Sequence, residues 1–366
     1  MKNLLGKLAA FALTIVLAVT ATPVFAASSF LGSLNTNKTI ASTVPSNGDV
    51  NPYGVAVVKY STGNLVKGDI LVSNFNNKSN LQGTGTTIVQ VSPSGHVSLF
   101  AHISASNLPG SCPGGIGLTT ALVVLNEGWV VVGSLPTKDG TAATAKAGCL
   151  LVLNNHGHVV ETISGTGVNG PWDMTAVENG VTVALFVTNV LNGTVAASPK
   201  VVHTATIERI MLTLHGSDKP NIQSRTVIGS GFGARTDPSA LVIGPTGVGL
   251  NSNGTLFVAD TLANRIAAIP NAFSRMSDDH TGQTILTGHA LNGPLGLTIA
   301  PDGHIIVANS NDGNMVEVTT SGNQVAFKNV DLTGTGGGTL FGLAITPDGK
   351  GIYYVNDGNN MLDVLK

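Results

Sequence analysis

The chain has 366 residues, a formal net charge of −2 and only 10% charged residues, against about 25% in typical soluble domains. So little charge, with no basic cluster, excludes nucleic acid as a partner, because that binding rests on Lys and Arg contacts to phosphate. Ser, Thr, Asn and 46 glycines carry the polar surface instead, a surface that keeps its character in acid because it has few carboxylates to protonate.

In chain order, residues 1–26 read as a secretory signal. Lys2 and Lys7 give a basic start, Leu8 to Thr20 is an apolar run, and Val24-Phe25-Ala26 fits a small-residue cleavage site. That run is short for a bilayer span and no second one follows. The mature chain is therefore expected to be secreted or periplasmic, with no membrane insertion after cleavage. No Pro-rich, Ser-rich or charged linker interrupts residues 27–366, so a single domain is expected.

One pattern then recurs six times. Asn51–Val57 leads into Asp69–Asn74, Gly114–Leu118 into Trp129–Ser134, Gly170–Met174 into Leu185–Asn189, and Pro245–Leu250 into Thr255–Asp260. The last two copies are the clearest. Gly293–Ile299 and Leu340–Ile345 each precede a Pro-Asp-Gly turn (301–303 and 347–349) and a strand ending in Asn, Ile305–Asn309 or Ile352–Asn356. A third β-branched run follows, such as Thr87–Val91 or Asn314–Val318, and most copies add a fourth, such as His96–Phe100 or Gln324–Phe327. Four short strands per copy of roughly 40–75 residues, punctuated by Gly turns, are the signature of propeller blades. The expected fold is an all-β, six-bladed β-propeller. Its sixth copy runs out at its third strand, Met361–Lys366, and the unassigned β-prone stretch Thr39–Val44 would complete that blade and close the ring.

Two cysteines, Cys112 and Cys149, form an even count in an exported chain, which favours a disulfide. Cys112 precedes the first strand of one blade and Cys149 opens its third, about 9.6 Å apart by strand spacing, so the bridge requires the loop at Cys112 to fold inward.

The Gly-Pro-x-Gly-Leu-x-Ile lead at 293–299, the Pro-Asp-Gly hairpins, the Leu-Phe-Val-Ala-Asp strand at 256–260 and Asn264-Arg265-Ile266 carry a resemblance. The chain resembles NHL-repeat propellers and the related gluconolactonase/regucalcin and strictosidine-synthase-like group. The likeness is strong from Gly244 to Lys366 and weak from Gly110 to Arg235. It implies the propeller fold, and these motifs specify blades rather than an activity. Lactonase-type relatives carry a metal-binding Glu in a Glu-Gly-Pro setting at the first blade. Here Asp49-Val50-Asn51-Pro52 has no Glu, which counts against lactonase chemistry.

Antiparallel geometry places the start of each first strand and the end of each second strand at one mouth. Tyr53, Ile116, Trp172, Asp173 and Leu295 should surround it, with Asn74, Ser134, Asn189, Asp260, Asn309 and Asn356 as a ring of second-strand ends. The expected ligand site comprises Tyr53, Asn74, Trp172, Asp173, Asn189, Asp260, Asn309 and Asn356. Calcium is the candidate cation, with Asn189, Asp260 and Asn309 as its ligands, since it takes six to eight oxygens. Asn and Asp also favour turn starts for purely local reasons, and Asp260 is the one carboxylate in the ring. His156 and His158 fall in a hairpin turn. No Gly-x-Ser-x-Gly elbow, His-Glu-x-x-His helix or phosphate loop is present.

These features favour a non-enzymatic propeller that binds a small molecule, glycan or protein at its mouth. The alternative is a calcium-dependent hydrolase or lyase of the lactonase-like type. A quinone-dependent redox propeller fits least, given the low aromatic content and the absence of adjacent cysteines.

Overall fold

The second strand of each blade shows most directly how the sequence builds the ring. In Leu256–Asp260, Leu256 and Val258 point into one apolar cluster while Phe257 and Ala259 point into another. Side chains alternate along a strand, so a strand sandwiched between two neighbouring blades must be apolar on both faces. The five corresponding strands, Ile70–Asn76, Val130–Ser134, Thr182–Asn189, Ile305–Asn309 and Ile352–Asn356, are buried almost throughout for the same reason.

The computed structural model describes residues 29–165, 167–216 and 218–366; the expected signal segment 1–26 lies outside the described residues. Six sheets form the ring. Their innermost strands are Val50–Val57, Leu118–Val124, Pro171–Asn179, Pro245–Leu250, Pro294–Ile299 and Leu340–Ile345. Four sheets are consecutive four-stranded antiparallel meanders. Wedges of apolar side chains fill the spaces between successive blades, and the wedge between the sixth and first blades merges with a cluster on the axis.

The sixth sheet takes its outer strand from the N-terminal segment. Asn37–Ser42 pairs antiparallel with Met361–Leu365, Asn37 opposite Leu365 and Ser42 opposite Met361. A clasp upstream fixes this strap. The Glu317 carboxylate, fully buried, accepts from Ser29 Oγ at 2.6 Å, Phe30 N at 3.0 Å and Leu31 N at 2.7 Å. His304 Nδ1 lies 2.6 Å from the same carboxylate.

The third sheet departs from the repeat. It has five strands, and its third and fourth, Val202–His215 and Asp218–Asp237, are far longer than those of the other blades. The fourth overshoots the blade, turns, and returns as Leu241–Ile243 with Leu241 in the left-handed region at φ 62°. This hairpin lies within the weakly repetitive stretch 110–235 and its continuation, where the sequence pattern did not disclose it.

Cys112 and Cys149 form the disulfide, with a Cα–Cα distance of 5.2 Å. Cys112 lies in the loop before the second blade, so it is free of the strand spacing that would otherwise hold the two apart.

Candidate functional site

The six second-strand ends do occupy one level of the ring. Pro52 is opposite Asn74, Leu118 opposite Ser134, Pro171 opposite Asn189, Pro245 opposite Asp260, Pro294 opposite Asn309 and Leu340 opposite Asn356. In the second blade the equivalent position is therefore Leu118; Ile116 lies in the loop ahead of the strand. A register irregularity follows each of these pairs and swings the next side chains toward the axis.

Those side chains fill the axis rather than framing an opening. Tyr53 stacks on Phe341 at 4.0 Å, Phe75 at 4.5 Å and Trp172 at 5.6 Å between ring centroids. Leu295, Leu241 and Val242 complete the plug. Trp172 Nε1 donates to Val242 O at 2.8 Å, which ties the third-blade hairpin down over the mouth. Tyr53 and Trp172 are each 2% exposed, so both are core residues here. Burial, reinforced by the nearby Asp357 charge, drives the Tyr53 hydroxyl far above its ordinary pKa.

The ring amides bond the connections that lead into their blades. Asn74 Nδ2 donates to Thr43 O at 3.0 Å, Asn309 Nδ2 to Ala290 O at 2.8 Å, and Asn356 Nδ2 to Asp331 Oδ1 at 2.9 Å. Asn189 Oδ1 accepts from Asn169 N at 3.2 Å. Asp260 pairs with Arg265 at 2.9 Å; burial pushes its pKa up against the pull of that guanidinium. Of the three candidate calcium ligands, Asn189 and Asn309 each bond the connection before their own blade, and Asp260 already has a cation. Asn74, Asp260 and Asn309 each keep one buried oxygen without a hydrogen-bond partner, yet the aromatic plug occupies the axis on which a shared ion would sit. One calcium ion requires every ligand within about 2.6 Å, whereas the bonded atoms of Asn189, Asp260 and Asn309 serve three separate blades. Among the described residues, one group of three His, Cys, Asp or Glu side chains has metal-ligand spacing: Asp302, His304 and Glu317, in the strap clasp of the fifth blade.

Asp173 behaves differently from its neighbours. It follows the mouth-level Pro171 by two residues, and its carboxyl lies below the plug on the wall of the axial channel, accepting from Met174 N at 2.8 Å. Burial raises its pKa to about 8. Asp357 is likewise raised by burial, to about 6.

The mouth face does carry a cavity, displaced from the axis. It holds about 580 Å³ between the third-blade hairpin and the turns of blades four to six. Arg235, Asp237 and Ser239 line it on the hairpin side; Thr261, Asn264, Asn292, Ser310 and Asn311 line it from the blades, and Leu295 and Phe341 give it apolar wall. Arg235 Nη2 lies 3.1 Å from Asp237 Oδ2. Asn264 spans the turn, donating to Leu291 O and accepting from Gly293 N. An ion pair, several amides and hydroxyls and a partly aromatic wall in a volume of this size suit a small polar molecule. Of these residues only Leu295 is among those expected from the sequence to surround the mouth. The available signal was their position just after the second-strand ends: Thr261 follows Asp260 and Ser310 follows Asn309. Gly337 and Gly338 also line the cavity.

No protein-family model and no curated protein matches the sequence. Solved structures match across nearly the whole chain. A gluconolactonase from Xanthomonas campestris aligns at 13% identity over 92% of this chain and 90% of its own, with a TM-score of 0.56. The calcium-binding protein regucalcin from Agrobacterium tumefaciens aligns at 13% identity over 89% and 93%, with a TM-score of 0.57. Virginiamycin B lyase from Staphylococcus aureus aligns at 14% identity over 90% and 99%, with a TM-score of 0.51. At such identities the likeness is one of fold: this chain shares the six-bladed propeller of the gluconolactonase and regucalcin structures.

Proposed function

We propose that this protein is an exported propeller that binds a small polar molecule, a glycan being the leading class, in the cavity between the third-blade hairpin and blades four to six. The carrying observation is the lining itself: the Arg235–Asp237 pair and the side chains of Asn264, Asn292, Ser310 and Asn311 beside Leu295 and Phe341. A sugar presents hydroxyls to amides and a C–H face to an aromatic wall, and this cavity offers both kinds of surface. Export is supported by the basic-apolar-small leader and by the disulfide. Among the described residues no helix is long and apolar enough to cross a membrane.

A hydrolase or lyase is the second reading. It is favoured by the solved structures that share the fold, a gluconolactonase and a virginiamycin B lyase among them. In this chain such chemistry would use the Arg235–Asp237 pair, the charged groups of the cavity, in place of an axial calcium.

Calorimetric titration against a panel of neutral mono- and disaccharides and other polar metabolites tests the proposal, with Ser310→Trp as a variant that fills the cavity. The expected result is a ligand bound by the native protein and lost in Ser310→Trp, unchanged in mass after incubation. A ligand whose affinity is the same in both proteins would place binding elsewhere. A ligand converted to product would establish the second reading.

A further inference from the structure

Four of the six innermost strands carry glycine two residues after the mouth-level position: Gly54, Gly247, Gly296 and Gly342. The reason is close approach between neighbouring blades. A Cβ on Gly296 would lie 2.0 Å from Phe341 O, one on Gly342 2.2 Å from Tyr53 O, and one on Gly247 2.3 Å from Leu295 O. The third blade has Asp173 at this place. Its backbone keeps the repeat's bonding, Asp173 N donating to Thr188 Oγ1 as Gly54 N donates to Ser73 Oγ. A carboxyl thus stands where four blades have glycine and the second has Thr120, whose hydroxyl donates to Trp172 O.

That carboxyl faces a hollow. Below the plug the axis opens into a chamber of about 280 Å³, walled by Leu122, Val248, Leu250, Leu297, Ile299 and Leu343 among others. Leu122, Val123, Thr175 and Ala344 are shared with a wider vestibule of about 540 Å³ that opens beside the Pro347-Asp348-Gly349 hairpin, at the face opposite the mouth. Asp173 is the one titratable group lining the chamber; the four other strands that wall it bring none. The vestibule carries Lys59, Tyr60 and Lys67 at its rim, with Lys59 3.3 Å from Glu178.

We propose that this dead-end axial channel is a second binding site, entered from the hairpin face, for an alkylammonium amphiphile whose cationic head reaches Asp173 and whose chain lies along the vestibule. The head needs acceptors for three N–H groups. The Asp173 carboxylate supplies one. Each innermost strand is the end strand of its sheet, and a strand edge without a further strand beside it leaves backbone carbonyls below the mouth level for the others. The chain is accommodated by Ala56, Val58, Val124, Ala176 and Ile345. Lys59 and Lys67 oppose the reverse orientation, with the cation outermost.

The proton inventory follows from the same burial. Asp173 is pushed up to about 8, so below that pH an entering ammonium must displace a proton from the carboxyl. Affinity should fall about tenfold per pH unit below that value and level off above it.

The experiment is calorimetric titration of the full chain with n-octylamine at several pH values, with octanoate and octanol as controls. One equivalent of octylamine should bind above pH 8, weakening toward acid, with neither control competing. Asp173→Asn should weaken binding at least about thirtyfold, the cost of removing one member of a buried charge pair, while unfolding cooperatively. Ala344→Trp, at the junction of chamber and vestibule, should block binding with Asp173 intact. Octylamine affinity that ignores pH, survives Asp173→Asn or survives Ala344→Trp would overturn the assignment, as would octanoate binding more tightly than the amine.

Discussion

Replacing Trp172 by alanine is the most informative perturbation of the ring, because this one side chain joins the axial plug to the third-blade hairpin. It is 2% exposed, stacks on Tyr53 at 5.6 Å, and donates from Nε1 to Val242 O at 2.8 Å. Truncation of a buried aromatic of this size costs about 3–5 kcal/mol. Trp172→Phe keeps most of the volume but leaves Val242 O without its donor, a loss of about 1–3 kcal/mol. Equilibrium unfolding in denaturant reads both differences. Tryptophan fluorescence serves as the signal, since the chain has only two tryptophans. In a Trp129→Phe background Trp172 reports alone, and its emission should be blue-shifted and poorly quenched by acrylamide. A loss below about 1 kcal/mol for Trp172→Ala, the range of an ordinary surface change, or a red-shifted and readily quenched emission, would refute the plug.

Three further outcomes follow from the same geometry. Converting Cys112 and Cys149 to serine should cost about 4 kcal/mol, from the loop entropy of a 37-residue separation, and the native protein should be two hydrogens lighter than its reduced form by mass spectrometry. Glu317→Ala should release the N-terminal strap, seen as faster amide exchange in both Asn37–Ser42 and Met361–Leu365; unchanged exchange in these strands would mean that the clasp does not hold the closure. The pH profile depends on sign. Asp173 at about 8 and Asp357 at about 6 are raised above the ordinary 3.8, so the folded state keeps their protons longer, and stability should fall as pH rises from about 4 to 8. Asp331, held down at about 2 by hydrogen bonds from Thr333, Gly336 and Asn356, acts oppositely and loses its contribution as pH falls from about 4 through 2. Thermal melts should therefore peak in mild acid, and Asp173→Asn should flatten the alkaline decline; a maximum above pH 8 would contradict both assignments.

The repeat was legible because its physical causes are local or nearly so. Asn and Asp at turn starts, Gly at hairpins and double-faced apolar second strands each leave a mark within a few residues, and six copies of the mark count the blades. The repeated Gly296 and Gly342 were visible as a motif, but their reason, the backbone of the next blade 2.0–2.2 Å from a would-be Cβ, is a contact between distant residues. The same holds for the site. Asn74, Asn189, Asp260, Asn309 and Asn356 were placed at the correct level of the ring, but whether a ring is open depends on what lies across it. Leu241 and Val242 come from an extension of one blade with no counterpart in the others, so no repeat pattern could announce them. Arg235 and Asp237 were invisible for the same reason. Asp173 was noticed as a mouth residue, and only the fold shows that its carboxyl drops beneath the plug.

Elemental analysis of the purified protein, after dialysis against calcium-free buffer and again after calcium loading, decides whether the mouth holds a metal. Tyr53, Trp172 and Phe341 fill the axis at the mouth, and Asp260 Oδ2 is paired with Arg265. Calcium is expected well below one equivalent per chain in both preparations, with no difference in Asp260→Ala. One tightly held calcium per chain, lost in Asp260→Ala, would contradict this arrangement.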